Sequence, residues 1–291
     1  MTATGALFDS SRQLVNGPTN AVSIAVLSAL ATIATPEGKL QGAILLAFLV
    51  GCIQLGITLF RLGDLTRYIS HSVIVGFTLG AGVLLFLDQM KNLLGMKAMG
   101  GAEDHFLVRF YLTMTQGGSI HLPTLAIGAS SIGLVLVLRW LKGRLNWNLL
   151  PDFLIVIILM AWISAHLGLE TQGVKVVGEI PGRLPSFQIP PLDATVIRDL
   201  SGSALAIAML GLLEAISMAK AIAAQTRQKL DMNQQCMSEG VANLVGSFFQ
   251  CIPGSGSLTR SAINQQAGAA SQWAAMISAI SVAIIMMLFA P

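Results

Sequence analysis

Three stretches of this chain, residues 40–60, 153–169 and 276–290, contain no Asp, Glu, Lys or Arg. Each is close to the roughly 20 residues that a helix needs to cross the hydrocarbon of a bilayer. Such runs leave few architectures open. Lipid offers a bare backbone no hydrogen bonds, so a spanning segment is either a helix or a strand of a closed barrel. The runs are continuous in Leu, Ala, Ile and Gly and lack the period-two alternation of barrel strands. The chain therefore reads as an all-α polytopic membrane protein. Composition agrees: 11% of the 291 residues are charged and 54% are hydrophobic, where a soluble domain carries about a quarter charged.

Several classes of function drop out. A net charge of +3 with no basic block gives no footprint for a nucleic acid. Cys52, Cys236 and Cys251 have no metal-ligand spacing, and an odd count in apolar surroundings argues against a disulfide framework. His71, His105, His121 and His166 lie far apart near predicted helix ends and read as interfacial polar residues. There is no nucleophile elbow, no phosphate-cradling loop at a strand–helix junction and no His-x-x-x-His pair. No catalytic residue, metal ligand or cofactor is expected. The first residues, through Asp9 and Arg12, lack the basic start and apolar stretch of a signal peptide and read as neither a full membrane helix nor a soluble tail. The chain is expected to begin partway into a larger protein.

Nine apolar segments are predicted, over residues 18–35, 40–60, 71–94, 122–141, 149–168, 198–222, 233–250, 257–268 and 270–290. Two are short and follow Gly/Pro-rich polar stretches: Gly17-Pro18-Thr19-Asn20 leads into 21–34, and Pro253-Gly254-Ser255-Gly256-Ser257 leads into 258–268. A pair of Gly/Pro-interrupted segments is the strongest sequence pointer to a transporter's binding site. Half-helices that start inside the membrane turn free N–H groups and positive dipole ends toward a buried cavity. Pro18 suits a first helical turn, where its missing N–H costs nothing. The plainer reading makes both stretches ordinary loops.

The segment 170–197, with Val174 to Gly178 and Pro181, Pro185, Pro190 and Pro191, reads as an extended, solvent-facing excursion in which Glu170, Glu179 and Asp193 balance the basic residues. The loops near 61–70, 139–148 and 220–231 are more purely basic, through Arg61 and Arg67, Arg139, Lys142 and Arg144, and Lys220, Arg227 and Lys229. They alternate with the loops near 95–121 and 170–197, so they share one side, which the positive-inside rule makes cytoplasmic. Small residues at Gly76/Gly80 and at Ala204/Ala208/Gly211/Ala215/Ala219 have helix-packing spacing.

Ionisable residues inside membrane segments are costly and are functional-site candidates by default. Glu214 lies deep in 198–222, with Gly211 and Ser217 on a small, polar-tolerant face that should look into the bundle. Arg260 sits in the first turn of the second short segment. A guanidinium beside free N–H groups and the hydroxyls of Ser257, Thr259 and Ser261 suits an oxyanion. The bland alternatives are a structural carboxylate capping another helix for Glu214, and snorkelling to headgroups for Arg260. Asp88 and Glu239 lie nearer segment ends, within reach of the interface, and read as structural.

Four motifs carry a family resemblance. Ser10-Ser11-Arg12-Gln13-Leu14 with Gly17-Pro18-Thr19-Asn20-Ala21 resembles the start of the third helix of sulfate permease (SulP) family transporters. Residues 69–78, running on to 89–95, resemble the fifth helix, residues 239–249 the ninth, and Gly256-Ser257-Leu258-Thr259-Arg260-Ser261-Ala262-Ile263-Asn264 the start of the tenth. The resemblance implies a seven-plus-seven inverted-repeat fold, present here in part, with two half-helices preceded by short extended segments. It implies core-domain helices over 1–60 (end of the second, third, fourth), gate-domain helices over 61–170 (fifth to seventh), an external loop over 171–197 and core-domain helices over 198–291 (eighth to eleventh). The first helix, the last three and a STAS domain would be missing, and the chain alone is expected not to transport.

The same resemblance implies a small inorganic anion as substrate, sulfate or bicarbonate among others, held between the third and tenth half-helices. The substrate-binding candidates are Thr19, Asn20 and Ala21 from one end and Gly256, Ser257, Thr259, Arg260 and Ser261 from the other. Glu214 matches an acidic position on the eighth helix and is the candidate for a coupling ion, Na⁺ or H⁺. Elevator-like alternating access, a homodimer and a multi-pass location in a bacterial plasma membrane complete the expectation. A nucleobase permease of the same fold is the nearest rival. Gly254, Thr259 and Arg260 match its tenth-helix spacing, but Cys251 and Ile252 replace the polar side chains that would pair with a base edge. A membrane protein that senses an anion without carrying it is the rival from another class.

Overall fold

In the computed structural model the described residues are 1–63, 71–101, 104, 106–145, 151–176, 178 and 184–289. Arg67, His105, Val177, Glu179, Pro181 and the Ile69-Ser70 start of the fifth-helix motif lie outside them. The chain divides into two compact units, one of residues 1–81 with 180–291 and one of residues 82–179.

The first unit holds α1 (Thr2–Phe8), β1 (Asn16–Gly17), α2 (Asn20–Ala29), α3 (Pro36–Leu59), α8 (Ala194–Thr226), α9 (Met232–Ser247), β2 (Ser255–Gly256), α10 (Leu258–Gln266) and α11 (Trp273–Phe289). The N-terminal caps explain several starts. Thr35 accepts from Gly38 N–H with Pro36 in the first turn, Asp193 accepts from Thr195 and Val196, and Asp231 accepts from Gln234. Hydrogen bonds from Thr195 hold the Asp193 carboxyl below the usual carboxylate range. The helix α8 runs about a turn beyond 198–222 at each end. Its 33 residues make it about 50 Å long, more than the ~30 Å of hydrocarbon.

The core of this unit is the seam of α2, α3 and α8, where Val22, Val26, Leu45, Leu46, Val50, Leu200, Ala204, Ile207 and Ala208 are buried. Close approach is set by small residues, as in membrane helix packing. A Cβ at Gly51 would come 2.5 Å from the backbone nitrogen of Leu244, and one at Gly240 would come 2.9 Å from that of Leu55, so α3 and α9 touch backbone to backbone. The expected stripe Ala204/Ala208/Gly211/Ala215/Ala219 is buried throughout. Gly76 and Gly80 depart from expectation: a Cβ at either would meet nothing within 4 Å, so no described neighbour accounts for them.

The second unit carries the end of α4 (His71–Leu94), α5 (Phe106–Gln116), α6 (Leu122–Leu145) and α7 (Asp152–His166). Gly95 ends α4 in the left-handed region at φ +67°, with Met96 N–H returning to Lys91 C=O. Asp88 pairs with Lys91 one turn away. The helices α6 and α7 are pinned where Arg139 reaches Asp152 at 3.2 Å and lies over the Phe153 ring. The helix α5 was not anticipated, since 95–121 read as a loop. Its 11 residues are too few to span hydrocarbon, so the apolar-run criterion passes over it.

Among the described residues, three helices, Pro36–Leu59, Leu122–Leu145 and Ala194–Thr226, are long and apolar enough to cross a membrane. The stretch 184–189 is exposed and irregular as expected, yet it is docked: Gln188 N–H donates to Phe248 C=O, and the Phe187 ring stacks on Phe248 at 5.6 Å. Glu239 is corrected. Instead of reaching an interface it is 1% exposed, because α9 is enclosed by α3, α1 and α8.

Candidate functional site

The two short segments form a symmetric pair. β1 and β2 are antiparallel, with Asn16 opposite Gly256 and Gly17 opposite Ser255. Ser257 N–H extends the ladder to Val15 C=O at 2.9 Å. Each strand runs into a hydroxyl N-cap bonded to the third helical N–H: Thr19 accepts from Val22 and Ser257 accepts from Arg260. The helices that follow are 10 and 9 residues long, about 13–15 Å, or half of a bilayer's hydrocarbon. By helix geometry the first-turn N–H groups of Asn20, Ala21, Leu258 and Thr259 have no acceptor within their own helices.

Small residues make the crossing possible. A Cβ on Gly254 would sit 2.5 Å from the Gly17 carbonyl carbon, and one on Gly256 would sit 3.0 Å from the Ala215 Cα of α8. Gly17, at φ +154°, leaves its face to Arg260, whose Nη1 and Nη2 lie 2.7 and 2.9 Å from where a Cβ would stand.

Two side chains join the helix ends. Arg260 Nη2 donates to the Pro18 carbonyl at 2.9 Å, so the cation of one half-helix lies at the start of the other. The side chain is half-buried, with its guanidinium held against the backbone of the opposite half-helix. Glu214 Oε2 accepts from Thr19 Oγ1 at 2.8 Å and from Ser255 Oγ at 2.6 Å, one hydroxyl from each side. Its partners are hydroxyls and not helix N–H groups, so it is a bridge rather than a simple cap.

The expected residues thus come together, with different tasks. Thr19 and Ser257 are buried caps, Asn20 and Thr259 are exposed at the first turns, and Ala21 is half-buried beside them. Gly256 is buried in the ladder. Ser261 is fully buried, and its Oγ accepts from Val15 N–H at 2.9 Å, so this hydroxyl holds β1 in place. Ile252 packs on the α2–α3–α8 core, which leaves a base edge no polar partner there.

Three contributors escaped the sequence reading. Ser255 supplies the second hydroxyl to Glu214. Asn243 of α9 accepts from Gly254 N–H at 2.9 Å and donates to Gly254 C=O at 3.0 Å, which fixes the approach to β2. Gln54 of α3 accepts from Asn243 at 2.9 Å. Amides inside an apolar segment are the signal that would have found the last two.

Comparison with known proteins agrees with this geometry. The family model described as the sulfate permease family matches residues 2–291. Sulfate transporter 4.1, chloroplastic, of Arabidopsis thaliana is 34% identical over 98% of this chain, which spans 42% of that protein's length. Among solved structures, the transmembrane domain of a cyanobacterium bicarbonate transporter, BicA, superposes with a TM-score of 0.73 at 20% identity, covering 98% of this chain and 73% of that one. The murine anion transporter Slc26a9 in its inward-facing state gives 0.77 at 21% identity, covering 100% of this chain and 52% of that one. The fold is therefore the inverted-repeat fold of such transmembrane domains, present in part. With opposed half-helices on paired strands and a match along nearly its whole length, the chain belongs to the sulfate permease family.

Proposed function

We propose that this chain forms the substrate-holding part of a secondary transporter for a small inorganic anion, with sulfate and bicarbonate as the leading substrates. The observation that carries this reading is the convergence of two half-helix N-termini on a shared place, with the Arg260 guanidinium set between them by Pro18. Unpaired N–H groups and a delocalised cation stabilise an oxyanion where lipid alone would exclude it. Relatives named as sulfate transporters and a fold neighbour titled as a bicarbonate transporter support the choice of substrates.

In this reading residues 1–60 and 198–291 are the moving core, 61–170 belong to the gate and 171–197 form the external loop. Transport is by elevator-like alternating access. Glu214, touching both half-helix ends through Thr19 and Ser255, links the site to a coupling Na⁺ or H⁺. The test is uptake of radiolabelled sulfate and bicarbonate in proteoliposomes by a full-length family transporter that carries these residues, with and without a Na⁺ or pH gradient. Saturable uptake of one of them that collapses in Arg260→Ala supports the assignment. Uptake of neither, or uptake indifferent to Arg260, overturns it.

A further inference from the structure

A second buried polar cluster lies away from the anion site, where the end of α1 meets α9. Asp9 is 0% and Glu239 1% exposed. One amide spans them: Gln235 Nε2 donates to Asp9 Oδ1 at 2.8 Å and approaches Glu239 Oε1 at 3.5 Å. The orientation of that amide is fixed independently, because Gln235 Oε1 accepts from the N–H groups of Ser10 and Ser11, both at 3.2 Å. The amide must therefore turn its donors to the carboxyls.

The two carboxyls are served unequally. Asp9 Oδ1 lies within hydrogen-bond distance of three donors, Gln235 Nε2, Asn16 Nδ2 at 3.0 Å and Ser238 Oγ at 2.5 Å. Among the described residues Glu239 receives only the long Gln235 contact. Asp9 Oδ2 and Glu239 Oε2 have no partner among them, and neither does Oδ1 of Asn16, a side chain 1% exposed and tied to the cluster by its bond to Asp9. Three buried oxygens without donors mark a place short of positive charge. Among the described residues neither carboxyl has an ion pair. The titratable groups acting on Glu239 from its surroundings are Asp9, at the end of α1, and Glu214 of α8, both of them acids. From α3, Glu37 and Lys39 lie at the distant N-terminal turn and Cys52 points outward.

Two carboxylates bridged by one amide in a dry interior do not both ionise; such pairs hold one proton between them. We propose that Asp9 and Glu239 form a proton-binding pair, with the proton on Glu239 and the charge on Asp9, at a site separate from Glu214 and from the anion. The unequal donors decide the assignment. Asp9 has two amide donors and a hydroxyl that it shares with the Gly5 carbonyl, while Glu239 has one long amide contact, the sparse surroundings of a neutral acid. Asn16, which donates to Asp9, is also the β1 residue opposite Gly256, so the charged member of the pair is bonded directly to the strand pair that carries both half-helices. The inference goes beyond the transport reading and stands without it.

The test is infrared difference spectroscopy of the purified protein in lipid nanodiscs across pH. At neutral pH the parent shows the carbonyl band of a protonated buried carboxyl. Glu239→Gln, a near-isosteric stand-in for the neutral acid, loses that band and still folds, while Glu214→Gln keeps it. Asp9→Asn removes the neighbouring charge, and its band vanishes at a lower pH than the parent's. The proposal is overturned by a parent without the band, by a band unchanged in Glu239→Gln, or by identical titration in Asp9→Asn. Loss of the band when Na⁺ replaces choline at constant pH also overturns it, since the site would then hold a metal cation.

Discussion

The Arg260 guanidinium donates to the carbonyl of Pro18 across 242 positions of chain. That one bond fixes where the charge stands. Arginine has five N–H donors in a rigid fork, and Pro18 takes one of them, which leaves the others for a further acceptor. Pro18 itself cannot donate an N–H, but its carbonyl is the last before the Thr19 cap. A residue usually read as a helix starter thus also orients the cation of the opposite half-helix.

Arg260→Ala is expected to reduce anion uptake by about 10- to 100-fold, the loss that follows from removing a charged hydrogen bond of about 1.5–3 kcal/mol. Arg260→Lys should be intermediate, because a single ammonium cannot both hold Pro18 and present a planar edge to an oxyanion. Concentration-dependent uptake separates the two. Equal activity of all three proteins would remove Arg260 from the site.

Glu214→Gln keeps a side-chain oxygen for Thr19 and Ser255 and removes only the charge. Folding should survive while the response of uptake to Na⁺ or to a pH gradient changes. Glu214→Ala leaves both hydroxyls without their acceptor and should lower thermal stability by about 2–4 kcal/mol as well. Unaltered ion dependence in Glu214→Gln would assign the carboxylate a purely structural bridge.

Much of this site was legible because breaks in hydrophobic runs are strong signals. Gly17-Pro18 and Pro253-Gly254 interrupt apolar sequence where little else does, and an acid at 214 or an arginine at 260 stands out against Leu, Ala and Ile. Pairing was not legible. Ser255 is 41 residues from Glu214, and Asn16 is 222 from Ser238, so only the folded chain shows which hydroxyl or amide meets which acid. The cluster around Asp9 was hidden further, because α1 is seven residues with two Thr and a Gly and has neither the length nor the composition of a membrane helix. Gly76 and Gly80 have the interval of a packing motif, but an interval does not say what lies opposite, and no described residue stands there.

Asp193 caps α8 through Thr195 and Val196, and the same hydrogen bonds hold its carboxyl below the ordinary range. A depressed carboxylate stabilises the folded state fully above the unfolded value, about 3.9 for Asp. That contribution is lost as pH falls through the lower folded value. Asp193→Asn caps without titrating, so its melting temperature should fall less steeply than the parent's below about pH 4. Parallel acid limbs in the two melting profiles would contradict this.

Asn243 is the residue whose loss should most directly disturb the second half-helix without touching an anion. Its Oδ1 accepts from Gly254 N–H, and its Nδ2 lies within 3.1 Å of the Gln54 side chain and of the Gly254 and Glu239 carbonyls. These groups are buried, so Asn243→Ala strands at least one donor and one acceptor. It should cost about 2–4 kcal/mol in stability. Asn243→Asp keeps the acceptor for Gly254 N–H but turns a second oxygen toward the Gln54 and Gly254 oxygens, and it should be the worse of the two. The measurement is thermal melting of both variants beside uptake in those molecules that remain folded. Because Gly254 packs against Gly17, a shifted β2 also moves Arg260 relative to Pro18, so anion affinity should weaken together with stability. Normal melting with abolished uptake would instead place Asn243 in contact with the substrate.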